Sequence, residues 1–222
     1  MHFGTLLGAV AYLRKDIIEI IKGCLLSLKE KELNKNSRFG LLVLVTTIPG
    51  AAIGAFFEDA IAEHLSKPAL IASVLIIFGI ILFFADKLKG HRNKDEFTIR
   101  DAVFVGAAQA LALQPGVSRS GITMTALRAK NFSREASARL SFLMLIPIVA
   151  GATLFSGAKG VAKGTITSEM IPPMIAGVIT SAVVGYFAVF YLLKLVRDKP
   201  FTGFVVYRIA AGIGVFIWIF IK

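Results

Sequence analysis

Residues 102–127 read AVFVGAAQALALQPGVSRSGITMTAL, a stretch apolar enough to enter a membrane and too interrupted to cross it. Ala102 to Leu113 is a helical apolar run, Pro115-Gly116 breaks it, and Ser118-Arg119-Ser120-Gly121-Ile122-Thr123 opens a second short helix. Basic loops stand on both sides: 86–101 carries Lys87, Lys89, Arg92, Lys94 and Arg100, and 128–134 carries Arg128, Lys130 and Arg134. Short loops rich in Lys and Arg stay cytoplasmic, so the stretch leaves from and returns to one side. A re-entrant hairpin satisfies this; a single crossing does not. Broken backbone at membrane depth persists only where it is buried in protein or lines a wet cavity, which is a usual place for a binding site.

The flanking sequence supplies the membrane. Segments 39–57, 69–85, 140–157, 171–193 and 204–221 are nearly charge-free, close to the ~20 residues that span hydrocarbon, and do not alternate as barrel strands would. Of 222 residues, 56% are hydrophobic and 18% charged, and mean hydropathy is +0.75. Disorder and an ordinary cytosolic enzyme are both excluded. The fold class expected is all-α, a polytopic integral membrane helix bundle. The net charge of +11 follows from topology. Loops 29–38, 86–101, 128–134 and 194–200 hold the basic residues and lie inside, whereas 58–68 and 158–170 lie outside. The basic residues are dispersed over loops and not gathered on one face, so no nucleic-acid partner is needed. Cys24 stands alone, which excludes an internal disulfide, and His2, His64 and His91 are too scattered for a zinc motif.

Residues 3–13 are apolar but reach only about half way across a bilayer, and the order of charge and apolar residues is wrong for a signal peptide, so the chain is expected to begin inside a span. Ile17, Ile18, Ile20, Ile21, Cys24, Leu25 and Leu28 recur at helical spacing and predict an interfacial helix. Gly50 and Gly54 suit close helix packing. On either side of the hairpin lie three spans of opposite sense, the pattern of an inverted repeat. The expected organisation is one membrane domain over 1–222, with 1–85 an incomplete first repeat and 102–222 a second one containing the hairpin. The first repeat's own hairpin is expected upstream of Met1.

Residues 115–123 carry the candidate chemistry. Gly116 and Gly121 permit a tight turn with exposed amides, the start of a helix presents unpaired N–H donors, and Arg119 adds a planar fork suited to phosphate oxygens. Hydroxyls of Ser118, Ser120 and Thr123 can complete an oxyanion cage. The plainer alternative is a helix capped by Ser118, with Arg119 paired to a carboxylate or reaching the headgroups. Gln109 either hydrogen-bonds the bound group or ties two helices together. Arg208, one turn inside the last span, either faces an internal polar site or snorkels to the interface. Glu135 and Arg139, one turn apart, read as a surface pair.

The run from Gly106 through Gln114-Pro115-Gly116-Val117-Ser118-Arg119-Ser120-Gly121-Ile122-Thr123 resembles the second signature motif of the undecaprenyl-diphosphate phosphatase family. His2-Phe3-Gly4-Thr5-Leu6-Leu7, Thr47-Ile48-Pro49-Gly50, Phe142 to Pro147 and Tyr207-Arg208 are similar to other recurring stretches of that family, in collinear order over essentially the whole chain. The resemblance implies an enzyme of the bacterial plasma membrane that hydrolyses undecaprenyl diphosphate to the monophosphate carrier of wall glycans, with a divalent cation, a site toward the outer face, two inverted repeats and a link to bacitracin resistance. Carried over, Arg119 clamps the diphosphate, Ser118 contacts or attacks phosphorus, and Ser120 and Thr123 support the anion; Gly116, Gly121, Gln109 and Arg208 are the candidate substrate-binding residues beside them. The partners implied are the polyprenyl diphosphate lipid and the bilayer, and a homodimer is compatible. The family's first motif, a Glu-rich stretch ending Pro-Val-Ser-Ser-Thr-Gly-His that supplies the acidic metal ligands, has no match here and is expected upstream of Met1. The chain as written is therefore expected to be inactive or badly impaired. The alternative function is a non-catalytic membrane protein that binds or translocates polyprenyl phosphates.

Overall fold

Every regular element of the computed structural model is helical, and the model describes residues 1–162 and 170–221. Residues 163–169 of the expected outer loop 158–170, Lys163 and Glu169 among them, lie outside the described residues, as do the side chains of Glu58 and Asp59. The helices are α1 (His2–Tyr12), α2 (Arg14–Glu30), α3 (Lys35–Val45), α4 (Ile48–His64), α5 (Pro68–Lys87), α6 (Ile99–Ala110), α7 (Arg119–Ala129), α8 (Arg134–Ala162), α9 (Ile171–Asp198) and α10 (Thr202–Ile221). Among the described residues, five stretches are long and apolar enough to cross a membrane: Lys35–Gly54, Pro68–Lys87, Arg134–Gly160, Ile171–Asp198 and Thr202–Ile221. They coincide with the five charge-free runs, so the chain is a multi-pass membrane protein.

Two compact units form, one from Met1–Leu41 with Phe142–Leu195, the other from Leu42–Ser141 with Val196–Lys222. In the first unit α1 runs parallel to α9. Gly4 lies against Val178 and Ser181, Gly8 against Ala182 and Tyr186, and Tyr12 edge-on to Tyr186 at 5.6 Å. Glycine is required at positions 4 and 8 because a Cβ there would strike the α9 backbone. The α2 helix is amphipathic as expected, with Ile18, Ile21, Leu25 and Leu28 exposed in one band. The turn into α3 is built by Asn34, whose side-chain oxygen accepts from the backbone N–H of Asn36 and Ser37 at 3.1 and 3.0 Å. Its amide donates to the Gly23 carbonyl at 2.7 Å.

In the second unit, the expected span 39–57 is broken into α3 and α4. Pro49 cannot donate to the preceding turn, and the hydroxyls of Thr46 and Thr47 donate to the carbonyls of Val43 and Leu44 at 2.6 and 2.7 Å. The α4 helix runs on to His64, so most of the expected loop 58–68 is helical. Helices α5 and α10 pack antiparallel, with Gly79 facing Arg208 and Ile209 and Gly212 facing Ala72 and Ile76.

Residues 99–129 form a helix, a break and a second helix whose two ends meet. The backbone N–H groups of His91 and Arg92 donate to the Asn131 carbonyl at 3.0 and 2.9 Å, and Ser133 N–H donates to the Arg92 carbonyl at 2.9 Å. Arg92 forks onto Asp101 at 2.6 and 3.2 Å and stacks over the Phe132 ring at 4.1 Å. Asp86 at the end of α5 accepts from Arg134 at 2.6 Å and from Phe201 N–H at 3.0 Å, while Arg128 donates to the carbonyls of Asp86, Leu88 and Phe132. At 12 and 11 residues, α6 and α7 are about 18 and 17 Å long. Neither alone spans the ~30 Å of a hydrocarbon layer.

Candidate active site

The break between α6 and α7 is set by backbone chemistry. Pro115 ends the short 3-10 turn Leu111–Leu113, and Gly116 then takes φ +97°, which leaves its backbone close to Ile71. A Cβ at Gly116 would sit 2.7 Å from the Ile71 carbonyl oxygen. Ser118 follows at φ +63°, a left-handed conformation that costs a non-glycine residue about 1–3 kcal/mol and recurs at functional sites. Its exposed side chain caps α7 by accepting from Gly121 N–H at 3.3 Å. The first amides of α7 have no partner within the helix and point at the same region.

Arg208 of α10 holds the break in place. The side chain is buried, and Nη2 donates to the carbonyls of Gly116 and Val117 at 2.9 and 3.0 Å. A Cβ on Gly121 would lie 3.2 Å from its Nη1, so glycine there lets the guanidinium reach the start of α7. Of the two readings for Arg208, it faces the internal polar site and does not snorkel. Arg119 is half-buried at the first position of α7, and its Nη1 is buried with no hydrogen-bond partner among the described residues. Among the described residues no carboxylate pairs with it. A buried guanidinium nitrogen without an acceptor is a costly arrangement unless a ligand supplies one.

The other predicted residues fall in different places. Ser120 is half-buried beside Arg119. Thr123 is fully buried, and its hydroxyl meets the carbonyls of Arg119 and Ser120 at 2.9 and 3.2 Å and Ser141 Oγ at 2.7 Å. It supports the turn from below. Gln109 is buried and donates through Nε2 to the Thr46 carbonyl at 3.0 Å, which ties α6 to the α3–α4 break, and its Oε1 has no partner among the described residues. Gly106 packs on the same Thr46 backbone. Thus Gly116, Ser118, Arg119, Gly121 and Arg208 come together, while Gln109 and Thr123 brace the elements around them.

Sequence reasoning missed Thr46 and Ser141, which carried no local signal, and the polar lock at the hairpin base. One part of that lock was readable: Thr98-x-x-Asp101 is a capping box, with the Thr98 and Asp101 side chains exchanging bonds with each other's backbone N–H. Burial pushes the Asp101 carboxyl up, but hydrogen bonds from Arg92 and Thr98 outweigh it and hold the group below its ordinary value. The described residues bring no three His, Cys, Asp or Glu together in a way that holds a metal ion, so they do not fit the divalent cation that the resemblance implies.

The family described as bacitracin resistance protein BacA matches residues 1–214. An undecaprenyl-diphosphatase of Hahella chejuensis is 37% identical over 221 residues, covering 100% of this chain and 82% of the relative. One from Geotalea daltonii is 42% identical over 215 residues, 96% of this chain and 79% of the relative. Another from Geobacter metallireducens is 41% identical over 222 residues, 99% and 82% respectively.

Proposed function

Because the chain belongs to the bacitracin resistance protein BacA family and acts as an undecaprenyl-diphosphatase, we propose that it binds and hydrolyses undecaprenyl diphosphate at the α6–α7 break. The single observation that carries this placement is the buried, unpartnered Nη1 of Arg119 at the N-terminus of α7. A diphosphate supplies the missing acceptor. Arg119 grips its oxygens through a planar fork, the first amides of α7 add dipolar attraction, and the strained Ser118 presents its hydroxyl to the terminal phosphorus. The P–O–P bond is cleaved with a water molecule, leaving the lipid monophosphate and inorganic phosphate. Arg208 orients the turn through Nη2, which is engaged by two carbonyls, while its buried Nε has no hydrogen-bond partner among the described residues.

The sidedness and symmetry belong to the same proposal. Residues 99–129 act as a re-entrant hairpin with its base at the cytoplasmic face of the bacterial plasma membrane. Along its axis α6 contributes about 18 Å and the 3-10 turn about 6 Å, which carries the break past the middle of a ~30 Å layer toward the outer face. The parallel α1–α9 pair and the antiparallel α5–α10 pair both agree with the positive-inside assignment. In the latter, Gly79 lies against Arg208 and Ile209 and Gly212 against Ala72 and Ile76, one glycine from each helix, which supports a twofold relation between inverted repeats.

The experiment is release of inorganic phosphate from undecaprenyl diphosphate by the purified chain. Replacing Arg119 by Ala is expected to lower kcat by about 10²–10³. Arg119→Lys is expected to restore little, since a point charge cannot replace the fork. Undiminished release by both variants would overturn the placement.

A further inference from the structure

At the base of the hairpin lies a hollow of ≈ 450 Å³ that the phosphatase site does not use. It opens where α5 ends and α8 begins, on the face read as cytoplasmic. Lys87, Lys89, Arg128, Arg134 and Arg197 line it against only Asp86 and Glu135. Two of the arginines are held rigidly. Arg134 is fixed by Asp86 at 2.6 Å, and Arg128 by three backbone carbonyls, with its Nε buried and unpartnered among the described residues. Asp86 pairs with Arg134 and accepts from the Phe201 N–H, so it offsets one of the five cations and leaves four against Glu135. Lys89 and Arg197 remain exposed. Arg197 lies 3.9 Å from the equally exposed Asp198, a solvent-screened pair that leaves it able to turn to a ligand. A concave site with preset arginines and exposed cations at its edge suits a phosphate group.

The surroundings decide which phosphate. Ile77, Ile81 and Phe84 are exposed at helical spacing along α5, and Leu88, the extended residue that follows the helix, is exposed and part of the lining of the hollow. Lys87 lies over the Phe83 ring at 4.3 Å, the arrangement of a cation anchored at the depth of the headgroups. An apolar track ending in a basic cup fits a lipid better than a free ion. We propose that this hollow binds the phosphate headgroup of an anionic phospholipid of the cytoplasmic leaflet, its acyl chain lying along α5. The leaflet rests on the sidedness proposed above; the chemistry of the cup does not. The bound headgroup would join the end of α5, the base of the hairpin and the start of α8, the elements that the Asp86 and Arg128 bonds already connect.

The test is native mass spectrometry of the full chain released from nanodiscs of mixed phosphatidylglycerol and phosphatidylcholine, scoring which lipid is retained. Phosphatidylglycerol is expected to be enriched on the wild-type protein. The double variant Lys89→Gln, Arg197→Gln removes two exposed cations without touching the fold's buried bonds, and its preference for phosphatidylglycerol is expected to fall about thirtyfold. Glu135→Gln, which removes the exposed acid from the rim, is expected to raise it. Phosphate release from undecaprenyl diphosphate should be unchanged in all three proteins, which separates this proposal from the catalytic one. Equal retention of phosphatidylcholine, or an unchanged preference in the double variant, would overturn the proposal. Loss of the preference on adding millimolar inorganic phosphate, with no lipid retained, would assign the hollow to the free ion and overturn the lipid occupant.

Discussion

Strain and satisfaction meet at a handful of residues. Gly116 takes φ +97° at no steric cost, Ser118 at φ +63° is the strained residue, and Arg208 grips the two carbonyls between them. Arg208→Gln removes that grip and leaves both carbonyls short of a charged donor, each such bond being worth about 1.5–3 kcal/mol. The expected outcome is a fall in kcat of about ten- to a hundredfold with a smaller change in KM, measured by phosphate release. Gly116→Ala combines a disfavoured φ with a Cβ 2.7 Å from the Ile71 carbonyl oxygen, and is expected to lower the melting temperature of the purified protein as well as its activity. Thr123 tests the supporting role from the other side. Thr123→Ser keeps the hydroxyl that meets Ser141 and should retain most activity, whereas Thr123→Val leaves Ser141 without that bond and should cost about 1–3 kcal/mol of stability.

At the level of elements, the α6–break–α7 unit stands on a charged base, and that base has a pH signature. The folded carboxyl of Asp101 lies below its ordinary value, so it contributes stability at neutral pH that is lost as pH falls through the folded value. Melting temperatures followed from pH 7 into the acid range should decline below about pH 5. Asp101→Asn should melt lower at neutral pH and decline less steeply. How much of this was legible in the sequence depends on the range of each interaction. The charge-free runs and the Pro115-Gly116 break are local patterns, and they located the five spans, the interruption between α6 and α7 and the neighbourhood of Arg119 with its glycines. The α3–α4 break went unread because Thr46-Thr47-Ile48-Pro49 sits within an unbroken apolar run. Its consequence, a bare carbonyl at Thr46 for Gln109 to bond, appears only when residues 63 positions apart meet. Likewise, Arg134 and Asp86 are 48 positions apart, and nothing in either loop announces the pair.

Over the whole molecule, the proposed sidedness puts loop 86–101 inside and loop 58–68 outside. In a Cys24→Ser background, a cysteine placed at His91 should react with an impermeant maleimide only after the cytoplasmic face is opened, and one at Ser66 should react from outside in intact cells. The reverse pattern would invert the topology and with it the direction in which the hairpin enters. The proposal turns on one group: the guanidinium of Arg119, whose Nη1 has no partner among the described residues, holds the diphosphate at the α6–α7 break. Binding of a non-hydrolysable methylene-bisphosphonate analogue of the polyprenyl diphosphate tests it most directly, because affinity is read without turnover. The wild-type chain is expected to bind the analogue, and Arg119→Gln to bind it about ten- to a hundredfold more weakly while keeping its melting temperature. Equal affinity in the two proteins would contradict the account.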